Sequence, residues 1–143
     1  LTVRCRRRSR EKTTTLSMRG SKMTGFLCVG AGGAAGAMLR YALSLFPYKG
    51  AFPVLTLITN VLGALAIGAI AGAAARRGLS AELVLFLKTG VCGGFTTFST
   101  FSLETYELLN QGHYGTALLY MAASLVLCLA GVAAGMFLTE RIG

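Results

Sequence analysis

The chain concentrates its chemistry between Gly90 and Ser102, where it reads Gly-Val-Cys-Gly-Gly-Phe-Thr-Thr-Phe-Ser-Thr-Phe-Ser. Three glycines followed by polar, β-branched residues make a poor continuous helix. Glycine loses much backbone entropy on ordering, and threonine loses rotamer freedom against the preceding turn. A break is therefore expected in this string. Carbonyls freed by such a break are hard oxygen ligands, suited to a small cation. Phe98 and Phe101 are spaced i, i+3 and share one helical face. Packing accounts for many such pairs. These two follow a break in polar company, and the positive edges of aromatic rings also attract an anion. No fixed cation stands beside them in the string.

Two other polar residues sit in apolar surroundings. Asn60 lies within Thr59-Asn60-Val61-Leu62-Gly63. A primary amide facing lipid would leave its donors and acceptor unpaired, so Asn60 must face another helix or water. It either makes an interhelical hydrogen bond or aims an NH₂ donor at an anion path. Arg40 interrupts an apolar segment, where a charge is costly and is usually functional or snorkelling. One reading sends it to the interface marked by Pro47 and Lys49. The other makes it an anion-attracting vestibule residue.

Enzyme chemistry finds little to use. The chain shows no nucleophile–base pair, carboxylate pair or metal cluster. Cys5, Cys28, Cys92 and Cys128 form no CxxC, and His113 stands far from all of them, so zinc and a disulfide framework are both rejected. Phe26 to Ala35 contains Gly30-x-Gly32-x-x-Ala35, which imitates a dinucleotide fingerprint. That motif needs an acidic residue about 20 positions on. Here the first acid after Gly30 is Glu82, and nucleotide binding is rejected.

The elements that carry these residues follow from composition. The 143 residues are 54% hydrophobic and 13% charged. Soluble domains carry about 25% charged residues, so a membrane protein is expected, and disorder over the whole chain is excluded. Four apolar segments are read: about Gly25–Phe46, Ala51–Ala75, about Leu83–Glu107 and Tyr114–Thr139. A helix needs about 20 apolar residues to cross the hydrocarbon core. The second and fourth segments contain no charge at all. The first and third, carrying Arg40 and Lys88, need a polar face turned inward. The loops are short. Pro53 is placed in the first turn of the second helix, Arg76-Arg77-Gly78 closes it, and Ser80 caps the third. Gly32-x₃-Gly36, Gly68-x₃-Gly72 and Gly131-x₃-Gly135 form small faces that let helix backbones approach in lipid. The fold class is all-α, with four transmembrane helices and the third broken in its middle.

The net charge of +9 belongs mainly to one end. Eight of the 14 basic residues precede Met23; from Met23 onward six basic face four acidic residues. Residues 1–22 are read as a basic extension, disordered or mis-annotated, with Met18 and Met23 as candidate starts. Residues 23–143 form the membrane domain. A nucleic-acid arm is the rival reading of the tail, and no nucleic-acid partner is expected.

With these motifs in place, the chain resembles the fluoride-channel family called Fluc or CrcB over nearly all of residues 25–138. The resemblance runs through Gly33-Ala34-Ala35-Gly36-Ala37 with Arg40-Tyr41, and Thr56 to Gly63 around Asn60. It continues through Gly93 to Ser102 with Glu104, and Tyr120-x₃-Ser124. It implies a passive fluoride channel of the bacterial plasma membrane that relieves fluoride toxicity. It also implies an antiparallel dual-topology dimer with two pores and a structural Na⁺ at the dimer interface. Phe98 and Phe101 would be the pore phenylalanines and Asn60 the pore asparagine. Ser99, Thr100, Tyr120 and Ser124 would continue a polar track. Arg40 would match the vestibule arginine, and the backbone carbonyls of Gly93 and Thr96 would hold Na⁺. The partner in the dimer would be a second copy or a related chain.

Two rival classes remain. A small four-helix multidrug exporter needs a membrane-buried carboxylate. The first two helices contain no Asp or Glu, and Glu104 and Glu107 are read toward the end of the third. A non-conducting structural membrane subunit would use the same polar residues merely to bond its helices together.

Overall fold

The computed structural model describes the backbone of residues 2–48 and 50–142, and the side chains of 22–48 and 50–141. All its regular elements are helical: α1 (Thr2–Ser44), α2 (Val54–Arg77), α3 (Ala81–Val84), a π-helical stretch (Leu85–Cys92), α4 (Gly93–Phe95), α5 (Phe98–Asn110) and α6 (Tyr114–Ile142). Four helical segments are long and apolar enough to cross a membrane: Lys22–Ser44, Val54–Arg77, Ala81–Asn110 and Tyr114–Arg141. The 24 residues of α2 rise about 36 Å, against a hydrocarbon core of about 30 Å. Among the described residues there is no strand. Of the expected basic extension, the side chains of residues 1–21 lie outside the description, as does Lys49.

The loop chemistry follows the residues. Gly78 closes α2 in the left-handed conformation, at φ 58° and ψ 46°, directly after Arg76 and Arg77. Cations in a last turn complement the helix dipole, and glycine adopts left-handed backbone without a Cβ penalty. The Ser80 hydroxyl caps α3 by accepting the Leu83 N–H at 3.3 Å. Pro53 is the residue immediately before α2 rather than part of its first turn. Its carbonyl accepts the Leu57 N–H at 3.2 Å.

Small residues set the helix spacing. A Cβ built on Gly68 would collide with the Val132 carbonyl, and one on Gly135 with the Leu65 carbonyl. Each of α2 and α6 therefore touches the other's bare backbone. Close approach of this kind supplies dispersion contacts where lipid offers no hydrophobic driving force. Gly32 and Gly36 do the same for α1 against the Phe86 and Val91 carbonyls of the π-helical stretch. The buried core is small, centred on Leu108, Ala117 and Tyr120. Large apolar side chains such as Phe26, Met38, Leu118 and Leu129 face outward, as lipid-facing or subunit-facing side chains do.

Candidate functional site

The third span breaks between α4 and α5. Thr96 has φ −74° and ψ 157°, and Thr97 has φ −149° and ψ 114°, so two extended residues separate the half-helices. The glycines do not make the break. Gly93 is helical, at φ −64° and ψ −38°. The chain turns at the β-branched pair, which tolerates extended backbone well.

Side chains around the break take up the bonds it frees. Asn60, on α2, meets Thr97 at two points. Its Nδ2 donates to the Thr97 carbonyl at 3.0 Å, and its Oδ1 accepts the Thr97 N–H at 2.8 Å. The interhelical reading of Asn60 is thus realised, while one hydrogen of its NH₂ is not needed for this pairing. The Thr97 hydroxyl caps α5, accepting the Thr100 N–H at 3.2 Å and donating to the Thr100 hydroxyl at 2.9 Å. Ser99 Oγ lies 3.3 Å from the same hydroxyl. Arg40 turns inward rather than outward: its Nε donates to the Gly94 carbonyl at 3.3 Å. A guanidinium at the C-terminal end of a half-helix is favoured by the dipole there.

Two cavities flank the break, and Thr97 lines both. One, of about 260 Å³, has Arg40, Tyr41, Ser44, Thr56, Thr59 and Thr100 in its wall. The other, of about 420 Å³, gathers Asn60, Thr96, Phe98, Phe101 and Ser124 with apolar neighbours, and none of its lining residues carries a charge. Phe98 and Phe101 have ring centroids 5.7 Å apart at 41°. Phe98 is 80% exposed in the single chain, whereas Phe101 is half-buried and stands 5.0 Å from the Tyr120 ring. The Ser124 hydroxyl is buried and has no hydrogen-bond partner.

Tyr120 is brought to a different place. It lies fully buried behind Phe101, outside the lining of both cavities. Its hydroxyl donates to Glu104 Oε2 at 2.7 Å, and the Thr56 hydroxyl donates to Glu104 Oε1 at 2.7 Å. The sequence reading puts Glu104 toward the end of the third helix. Because α5 runs to Asn110, the carboxylate sits six residues inside that end. Thr97, Glu104 and Thr56 are the polar residues that spacing alone does not single out. A signal for Glu104 exists, since a carboxylate within a membrane span requires partners.

The relatives can now be set beside this geometry. The profile of the family described as "CrcB-like protein, Camphor Resistance (CrcB)" matches residues 27–136. A protein of Methylobacterium sp. (strain 4-46) named fluoride-specific ion channel FluC is 45% identical over 121 residues, covering 82% of this chain and 94% of its own. One of the same name from Geobacter sulfurreducens is 46% identical over 124 residues, covering 84% of this chain and 100% of its own. Fluoride-specific ion channel FluC 2 of Bacillus subtilis is 48% identical over 114 residues, covering 78% and 84%. The match spans all four membrane-crossing helices and the broken third span, and the chain belongs to the CrcB family.

Proposed function

We propose that this chain is a fluoride-specific ion channel that lets fluoride leave the cell passively across the bacterial plasma membrane, relieving fluoride toxicity. The observation that carries the reading is the uncharged cavity beside the break. Its lining gathers Phe98, Phe101, Asn60 and Ser124, whose hydroxyl is buried without a hydrogen-bond partner. Fluoride is small, tightly hydrated and a strong hydrogen-bond acceptor. A path for it must replace water with donors, yet bind weakly enough to release the ion. Amide, hydroxyl and ring-edge donors meet both needs, and a fixed cation would not. Arg40 draws the anion into the neighbouring cavity. Ser99 and Thr100 extend the hydroxyl track, and Tyr120 backs the Phe101 ring at 5.0 Å.

The functional unit is an antiparallel dual-topology dimer, formed with a second copy or a related chain. The exposure of Phe98 and of Gly93 on a single chain supports this, since both are groups the pore and cation assignments need covered. The carbonyls of Gly93 and Thr96 would hold a structural Na⁺ there, and the residues fit. The Thr97 N–H donates to Asn60 Oδ1, and the Thr100 N–H donates to Thr97 Oγ1. These are the donors a continuous helix would direct at those two carbonyls. When bound, Na⁺ would supply a positive charge tying the half-helices together.

Purified protein in liposomes loaded with fluoride should discharge it, read by a fluoride electrode, while chloride-loaded vesicles hold their content. Fluoride release no faster than from protein-free vesicles rejects the channel. A carboxylate within a membrane span, as at Glu104, is the feature a proton-coupled exporter would need. Drug uptake driven by a pH gradient, without fluoride flux, would establish that alternative.

A further inference from the structure

The break in the third span is an exchange of hydrogen-bond partners centred on Thr97. In an uninterrupted helix the Thr97 N–H would donate to the Gly93 carbonyl, and the Thr100 N–H to the Thr96 carbonyl. Both donors are diverted. The first goes to Asn60 Oδ1 at 2.8 Å, the second to Thr97 Oγ1 at 3.2 Å. Neighbouring acceptors are provided for, because Asn60 Nδ2 takes the Thr97 carbonyl and Arg40 Nε takes the Gly94 carbonyl. Two side chains thus decide which carbonyls stay open.

We infer that Asn60 and Thr97 are positioning residues for a cation site, capturing the two N–H groups that would otherwise close onto the Gly93 and Thr96 carbonyls. The inference rests on the reading that those carbonyls hold Na⁺. It gives Asn60 a duty separate from any contact with fluoride. The Oδ1 atom opens the Gly93 carbonyl, while Nδ2 fixes the far side of the break. Thr97 enters as a residue with no place in the pore assignment. Its hydroxyl does for Thr96 what the Asn60 amide does for Gly93. The geometry also accounts for a break that falls at the threonines rather than at the glycines. The partners that stabilise extended backbone are offered at Thr97, and Gly93 remains helical.

The two duties separate by substitution. Asn60→Asp keeps an oxygen acceptor for the Thr97 N–H, and Thr97→Ser keeps the capping hydroxyl. Asn60→Leu and Thr97→Val keep similar bulk and remove them. The measurement is the thermal unfolding midpoint of the purified full chain against Na⁺ concentration, with choline holding ionic strength constant. Binding to the folded state alone raises stability with ligand concentration, so the titration yields an apparent affinity. Asn60→Asp and Thr97→Ser should bind Na⁺ within about threefold of wild type or tighter. Asn60→Leu and Thr97→Val should bind about tenfold more weakly, the scale of one lost hydrogen bond. Asn60→Asp should at the same time lose fluoride flux while its Na⁺ response survives. If Asn60→Leu does not fold, the Thr97→Val and Thr97→Ser pair decides. Wild-type Na⁺ affinity in Asn60→Leu and Thr97→Val overturns the positioning role and leaves the Na⁺ site standing. A wild-type protein indifferent to Na⁺ against choline removes the Na⁺ site, and the positioning role with it.

Discussion

The Tyr120 hydroxyl donates to Glu104 Oε2 at 2.7 Å, from a side chain with no exposed surface. A carboxylate inside a membrane span is thereby held by two hydroxyls, since Thr56 serves its other oxygen. Tyr120→Phe keeps the ring contacts to Phe101 and Phe52, at 5.0 and 5.6 Å, but leaves one carboxylate oxygen short of a donor. Stability should fall by about 1–3 kcal/mol. Glu104→Gln, which retains an acceptor and removes the charge, should lose less. Thermal unfolding of the two variants side by side checks the order, and equal losses would mean that the hydroxyl–carboxylate bond is not what holds Tyr120.

Phe98 and Phe101 should respond differently in stability and alike in flux. Phe98 is 80% exposed on the single chain, whereas Phe101 packs against Tyr120. Phe101→Ile should destabilise the fold by about 1–3 kcal/mol as shape complementarity is lost, and Phe98→Ile should cost the isolated chain little. Both remove a ring quadrupole, so both should sharply reduce fluoride flux normalised to folded protein. Asn60→Asp should abolish flux by placing an anion in the path, while Asn60→Ser should retain some. Wild-type flux in both isoleucine variants would remove the rings from the pore.

The glycines are not equivalent. Gly68→Val and Gly135→Val would drive a side chain into a facing backbone carbonyl. Each should cost more than about 3 kcal/mol, because backbone rather than a flexible side chain must move. Gly93 is helical, and a Cβ added to it would meet no atom within 4 Å, so Gly93→Ala should be accommodated by the chain itself. If the proposed dimer packs against Gly93, Gly93→Val should lose that dimer on size-exclusion chromatography, the clash lying with the partner. An intact, active Gly93→Val dimer would argue against a crowded cation site at the two-fold axis.

Topology should depend on the basic residues before Met23. In a chain that starts at Met23, with the second loop and the C-terminus on one side, Arg76, Arg77 and Arg141 oppose Lys49 and Arg40. That bias is mild, and mild bias permits both insertions. In a background without native cysteines, Gln111→Cys lies on the loop between α5 and α6. It should label from both membrane faces when the chain starts at Met23. With residues 1–22 present, labelling should come from one face. One-sided labelling of the shorter chain would favour pairing with a related chain over a homodimer.

Local residue chemistry determined much of this protein before any contact was known. The spans are legible because apolar runs of membrane length are rare by accident, and the helix ends because Gly78 and Ser80 act within their own turns. A break somewhere between Gly90 and Ser102 was legible too, since glycine and threonine disfavour helix whatever surrounds them. Its position was decided by tertiary structure. Asn60 stands 37 residues from Thr97, and only the packing of α2 against the third span makes extended backbone at Thr96–Thr97 better satisfied than a turn at the glycines. Arg40 illustrates the same limit: interface snorkelling and an inward pose fit one sequence equally. The Gly94 carbonyl, 54 residues away, selects between them. Glu104 needed both Thr56 and Tyr120, from two other helices, to have both its oxygens hydrogen-bonded within the span. Spacing along one helix tells which residues share a face, but which face meets which neighbour is settled only when helices from distant parts of the chain pack together.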